Sequence, residues 1–162
     1  MNTAILLSGS NMGDRLRHLR TAKEYLLSAG CVLQAESSIY ETAAWGNQEQ
    51  PSFLNQAWHI TTQQGPVDLL AALLDIEKSM GRRRIQKWES RVIDIDILFY
   101  DQLVYQSEAL VLPHPHLHER KFALMPVAEI LPQWMHPVFH KTVDTLLHEV
   151  NDPLPVTKYV TV

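Results

Sequence analysis

The sequence predicts an α+β fold in which a sheet is covered by helices, and three observations lead there. Segments of apolar or alternating character take turns with segments whose apolar residues recur every three to four positions. Two strand-like segments are joined by a short turn, as adjacent strands of a hairpin are. Neither a G-x-G-x-x-G run nor a Walker A lysine is present, which argues against a dinucleotide-binding parallel sheet. At 162 residues the chain is sized for one domain spanning 1–162.

Taken in order, Thr3 to Leu7 reads as a short buried strand, and Gly9 through Asp14 as a strand-to-helix turn with Asp14 the N-cap. Leu16, Leu19, Leu26 and Leu27 fall on roughly one helical face, and Gly30 stops that helix. A second strand is expected over 32–41 and a third, aromatic and alternating, over 53–62. Pro66 suits the first position of the strongest helix, which carries Leu69, Leu70, Leu73, Leu74, Glu77 and Met80 before Gly81 ends it. The run 82–91 has no usable periodicity and reads as a long exposed loop, of a kind that is often functional. The clearest strand is 92–100, and Asp101-Gln102 is expected to turn it into a partner at 103–106. Pro113, Pro115, Pro126 and Pro132 break the following region into short pieces, and a last amphipathic helix is expected over 142–150.

Composition bounds the function. Hydrophobic residues at 46% and charged residues at 20% are ordinary for a globular chain and speak against disorder. A net charge of -4 gives no general reason for tight nucleic-acid binding. The lone Cys31 forms no internal disulfide and reads as a small apolar residue in a reducing compartment. The N-terminus lacks a basic region, its apolar run is only Ala4 to Leu7, and nothing approaches the roughly 20 residues that span a bilayer. A cytoplasmic protein is the expectation.

In the strand from Val92 to Tyr100, period-two alternation puts Ile93, Ile95, Ile97 and Phe99 on one face and Asp94 and Asp96 on the other. Two like charges about 7 Å apart in an apolar strand carry a repulsion and desolvation cost that a cation relieves. Hard oxygen ligands favour Mg²⁺, with phosphate oxygens and water completing its shell. The loop just before holds Arg82, Arg83, Arg84, Lys87 and Arg91 around Trp88. Cations beside a carboxylate pair make sense if a polyphosphate bridges them through a metal. The same loop could serve a nucleic-acid-binding module, with Trp88 stacking on bases. Asp94, Asp96 and the net negative charge argue against that reading. His114, His116 and His118 alternate in the manner of a metal triad, but Pro113 and Pro115 oppose a regular strand there; His114 with Arg120 is better placed to contact phosphate.

The chain resembles the 6-hydroxymethyl-7,8-dihydropterin pyrophosphokinase family over nearly its whole length. The matching pieces, in order, are Gly9-Ser10-Asn11, Tyr40-Glu41-Thr42, Gln50-Pro51 with Phe53-Leu54-Asn55, Glu77 before Gly81-Arg82, Trp88 with Arg91, Asp94-Ile95-Asp96, Pro113-His114, and Arg120 through Phe122, Leu124 and Pro126 to Glu129-Ile130. The resemblance implies a ferredoxin-like αβα sandwich with a mainly antiparallel sheet, usually monomeric, that transfers diphosphate from ATP to the hydroxymethyl group of a reduced pterin and releases AMP. It implies that Asp94 and Asp96 hold two Mg²⁺ ions and that Arg82 and Arg91 share the catalytic work with them. ATP would be bound by Arg82, Arg84, Trp88, Arg91, Ile97, His114 and Arg120. The pterin would be bound by Thr42, Ala43, Trp45, Phe53, Asn55, Trp88 and Phe122, with the two phenylalanines sandwiching its ring. No nucleic-acid or membrane partner is implied. Ala43 stands where proline is frequent, Trp45 where a smaller aliphatic residue is, and Glu89-Ser90 where the family has Gly-Pro.

Overall fold

A computed structural model of the chain describes residues 1–43, 51–81 and 92–160. Its elements are β1 (Asn2–Ser10), α1 (Arg15–Ser28), β2 (Val32–Glu36), β3 (Tyr40–Thr42), β4 (Phe53–Thr62), α2 (Pro66–Ser79), β5 (Asp94–Tyr100), β6 (Tyr105–Gln106), β7 (Val111–Leu112), α3 (Lys121–Ile130), α4 (Val143–Glu149) and β8 (Val156–Lys158), with a short 3₁₀ turn at Leu117–Glu119 before α3. The main sheet runs β5-β1-β4-β3-β8, β2 also pairs with β4, and every pairing is antiparallel. The architecture is thus α+β, as expected, with helices on both faces of an antiparallel sheet.

The apolar run in β1 is explained by its central position. Ala4 and Leu6 join the core that Leu19, Ala22 and Leu26 of α1 and Leu69, Leu73 and Ile76 of α2 build on one face. Ile5 and Leu7 face the other way, into a second core with Ala123, Leu124 and Val127 of α3 and Val143 and Leu146 of α4. A strand buried on both faces has no polar side to show. Asp14 caps α1 by accepting from the Arg17 N–H at 3.2 Å, and Pro66 opens α2, both as the sequence suggests. Gly30 follows α1 with φ of 93°, a conformation that favours glycine. Cys31 is buried in the first core.

Several expectations need correction. Gly9 and Ser10, read as part of a turn, continue β1. The strand predicted over 32–41 is two strands: Ser37 donates its N–H to the Ala57 carbonyl while its Oγ accepts from the Ala57 N–H, which breaks the ladder between β2 and β3. The partner expected at 103–106 does not pair with β5; Tyr105–Gln106 pairs with β7 in a separate two-stranded ribbon. Between 113 and 132 the prolines do not prevent a helix, since α3 runs through Pro126 and loses only one i→i−4 bond there. Finally, Phe99 does not share a face with Ile93, Ile95 and Ile97. Ile5 pairs with Phe99 but Leu6 with Ile97, so Leu98 is an extra residue, and this bulge turns Phe99 into the second core.

His136 anchors the segment between α3 and α4. It is 2% exposed, its Nδ1 accepts from the Val138 and Phe139 N–H groups at 3.2 and 3.1 Å, and its ring stacks on Phe139. Burial, aided by His118 and His140 nearby, lowers it from 6.5 to about 4. Between those values the unfolded chain binds the extra proton and the folded chain does not, so stability falls as pH drops through this window. His136→Asn, which keeps an acceptor but cannot titrate, is therefore expected to show a smaller fall in melting temperature than the parent between about pH 7 and pH 5. Equal falls in the two proteins would contradict this.

Candidate active site

The strand register assembles the site. Reading across the sheet, Tyr40 of β3 lies opposite Asn55 of β4, Asn55 opposite Gly9 of β1, and Gly9 opposite Asp94 of β5. Directly opposed residues present their side chains on the same face. The next row on that face is Ala57, Leu7 and Asp96, and on the other side of Asn55 lies Phe53, opposite Thr42. Pairing through β1 thereby places Asp94 and Asp96 of β5 and Phe53 and Asn55 of β4 on one surface, the one that faces α3. Helix α3 adds Phe122 from its first turn and Arg120 from its N-cap position.

Asp94 and Asp96 are half-buried and stay on one face because the bulge begins only after Ile97. Their strand is fixed from behind by Glu77 of α2, 3% exposed, whose Oε2 accepts from the Ile95 N–H at 3.0 Å. Burial works against the charge of Arg120, and the carboxylates of Asp96, Glu119, Asp94 and Asp152 partly offset that. The guanidinium stays cationic. It also lies 5.8 Å from the Phe122 ring centroid, within cation–π range, so it borders both the acidic face and the aromatic one.

His114 enters from the loop after β7. Its N–H donates to the Leu98 carbonyl of β5, and its Nδ1 accepts from the His116 N–H, which places the ring proton on Nε2. Burial first, then Arg120 and His116, lower it from 6.5 to about 4, against an opposing pull from Asp94. It is therefore a neutral N–H donor at pH 7. His116 instead meets Glu119, and His118 packs edge-on against Phe139, so the three histidines have different surroundings. Between Ile95, whose N–H goes to Glu77, and Leu98, whose carbonyl goes to His114, the backbone of Ile97 lies on the outermost strand of the sheet.

Asn55 is 5% exposed, and its Nδ2 donates to the Ser8 carbonyl at 3.1 Å. Its Oδ1 is buried without a hydrogen-bond partner among the described residues. Such an acceptor, left dry, costs about 1–3 kcal/mol and is ready for a ligand donor. Phe53 and Phe122 are only partly buried on the same face. Thr42 ends β3 opposite Phe53, with its Oγ1 donating to the Pro155 carbonyl, and Ala43 follows it. Trp45, Arg82, Arg84, Trp88 and Arg91, together with the predicted loop over 82–91, lie outside the described residues.

Some supporting residues carry no sequence signal, or none beyond a place in the matching pieces. Arg15 donates to Glu41 Oε2 at 2.9 Å and to Ser52, and Ser52 Oγ donates to the same carboxylate. Those hydrogen bonds, from Ser52 and then Arg15, hold the Glu41 carboxyl below its ordinary range. Asn11, 1% exposed, donates to the Pro51 carbonyl. Together they tie the start of β4 to α1 and β3. On the far side, Tyr40 donates to Glu129 Oε1 at 2.5 Å while Glu129 Oε2 accepts from Ser38, which binds α3 to β3. None of these pairings has a short-range spacing from which it could be read.

Comparison with known proteins gives this surface a context. Residues 5–132 match the model of the 7,8-dihydro-6-hydroxymethylpterin-pyrophosphokinase family. The chain belongs to this family. Among its relatives, 2-amino-4-hydroxy-6-hydroxymethyldihydropteridine pyrophosphokinase of Methylorubrum extorquens is 44% identical over 133 residues, covering 82% of this chain and 84% of that one. The Bacillus subtilis protein of the same name is 41% identical over 133 residues, covering 82% and 80%. A folic acid synthesis protein of Dictyostelium discoideum is 37% identical over 145 residues; the match spans 90% of this chain but 22% of that longer one. The fold matches a crystal structure of HPPK-DHPS in complex with substrates with a TM-score of 0.72 at 16% identity, over 91% of this chain and 43% of that chain. Every residue assembled above from Gly9 to Glu129 falls within the family match.

Proposed function

We propose that this face transfers a diphosphate from ATP to the hydroxymethyl group of 6-hydroxymethyl-7,8-dihydropterin, the activity by which the family is named, as a step of folate biosynthesis. The observation that carries the reading is the cross-strand row, which sets an unsatisfied amide acceptor, Asn55 Oδ1, on the same face as the carboxylates of Asp94 and Asp96. A pterin presents N–H donors along its amide edge and a flat ring for Phe53 and Phe122; a polyphosphate needs cations, and Arg120 and the His114 N–H adjoin the aspartates. Arg82, Arg84, Trp88, Arg91 and Trp45 are assigned to ATP or pterin by family resemblance alone.

Two carboxylates on one face suit Mg²⁺, which is commonly held by one or two carboxylates with substrate phosphates completing its shell. Asp94 and Asp96 would hold the metal, expected as two ions, and bound Mg²⁺ would neutralise phosphate charge. The chain's own residues do the rest. Asn55 and the two phenylalanines orient the pterin so that its hydroxymethyl oxygen points toward Asp94, and Arg120 and His114 fix the phosphates by hydrogen bonding. The pterin oxygen bonds to the β-phosphorus, the bond from that phosphorus to the α,β-bridging oxygen breaks, AMP leaves with that oxygen, and the hydroxyl proton passes to solvent. Positioning replaces covalent catalysis.

The β-α-β-β-α-β order of β1, α1, β2, β4, α2 and β5, with spatial order β5-β1-β4-β2, supports the finer ferredoxin-like description. Among the described residues no helix is long and apolar enough to cross a membrane. A cytoplasmic monomer of one domain, acting on small molecules and not on nucleic acid, is the corresponding proposal. The test uses ATP labelled at the β-phosphorus with Mg²⁺ and the hydroxymethylpterin. Label in the pterin product with unlabelled AMP is expected, whereas ADP formation would show single phosphoryl transfer and overturn the reading.

A further inference from the structure

Gly9 belongs to the Gly9-Ser10-Asn11 piece that reads from sequence as a strand-to-helix turn, yet it lies inside β1, fully paired between Asn55 and Asp94. No positive φ explains a glycine there, since among the described residues the positive-φ glycines are Gly13, Gly30 and Gly81. A glycine inside a strand often marks a close approach. Here the approach is identifiable: a Cβ on Gly9 would sit 2.5 Å from Asn55 Nδ2 and 3.5 Å from Phe53 Cδ1.

We infer that Gly9 is a positioning residue for Asn55: the missing side chain lets the Asn55 amide lie across β1. In that pose Nδ2 reaches the Ser8 carbonyl at 3.1 Å, and with the amide pinned through its nitrogen, its Oδ1 is held in one direction. An asparagine pushed off Gly9 loses that bond and with it the fixed direction of its acceptor. The strand itself loses nothing, because alanine is no worse than glycine in an extended segment. The inference rests on the pterin-site reading above and makes Gly9 specific to the pterin half of the reaction.

The experiment compares Gly9→Ala, Asn55→Ala and the double variant, using the hydroxymethylpterin in steady-state kinetics and a non-hydrolysable ATP analogue with Mg²⁺ in calorimetry without pterin. Gly9→Ala is expected to raise the pterin KM about tenfold, as loss of one hydrogen bond in a dry site does. ATP-analogue affinity should stay within about twofold. The double variant should be no worse than Asn55→Ala alone, since the two changes remove one interaction. In a ¹H–¹⁵N spectrum the Asn55 side-chain amide signals should shift in Gly9→Ala. If Gly9→Ala folds poorly, the double variant, in which the close contact is gone, should match the melting temperature of Asn55→Ala alone. Failure to do so would contradict the inference. A pterin KM unchanged in Gly9→Ala but raised in Asn55→Ala would overturn the role of Gly9 alone. Multiplicative effects in the double variant, or an equal loss of ATP-analogue binding, would also overturn it. An unchanged KM in Asn55→Ala would bring down the pterin-site reading and this inference together.

Discussion

Asp94→Asn and Asp96→Asn should each lower turnover by roughly 10²–10³-fold or more, the range found when one preorganised electrostatic stabiliser is removed from an active site. The reason lies in charge. Both carboxylates project to one face of β5 near Arg120, with His114 near Asp94, and each substitution removes one of the two negative charges available to a divalent cation. The effect should fall on the chemical step, because the amide keeps the carboxylate's shape and leaves the apolar packing of Ile95 and Ile97 alone. Melting temperature should hardly move, since partly exposed charges contribute little to stability. Raising Mg²⁺ should recover part of the activity if one ligand remains. Near-parent turnover in either folded variant, measured at saturating ATP and pterin, would remove the metal assignment.

Asn55→Ala should weaken pterin binding by about tenfold or more, given about 1–3 kcal/mol for ligand donors left unpaired in a dry pocket and 1.4 kcal/mol per factor of ten. The buried Oδ1 without a partner is what makes this loss specific, as the parent's side chain is held by Ser8 through its nitrogen and offers its oxygen to nothing else among the described residues. Binding of ATP alone, followed by calorimetry, should be unaffected, because Asn55 and Asp94 are separated by the whole of β1. Intact pterin affinity with impaired ATP affinity would show that the acidic and amide ends of the row had been assigned the wrong way round.

The legibility of the site in the sequence follows from the range of the interactions involved. Asp94 and Asp96 could be placed on one face because alternation is a local property of a strand, and Pro66 and Asp14 marked helix starts for equally local reasons. Phe99 could not be placed correctly, since the bulge at Leu98 depends on the register with Ile5 and Leu6, some ninety residues earlier. Leu103 to Gln106 looked like the partner of β5 because the turn at Asp101 is real, but that edge of β5 is met by His114 instead. Helix α3 was hidden by Pro126, whose cost is offset by burying Ala123, Leu124 and Val127 against the sheet. Asn55, Phe53 and Phe122 entered through family resemblance. Nothing in their own spacing brings residue 122 to the face that carries residues 53 and 55; the two-sided core does that.

One face of the sheet is proposed to bind the pterin at Asn55 and the phosphates at Asp94 and Asp96, with Gly9 between them. The most direct measurement is a crystal structure of the chain with Mg²⁺, a non-reactive ATP analogue and 6-hydroxymethyl-7,8-dihydropterin. The pterin ring is expected between Phe53 and Phe122, with an N–H of its amide edge on Asn55 Oδ1, its hydroxymethyl group directed over Gly9 toward Asp94, and metal on both aspartates. A pterin bound elsewhere, or phosphates held away from Asp94 and Asp96, would contradict it.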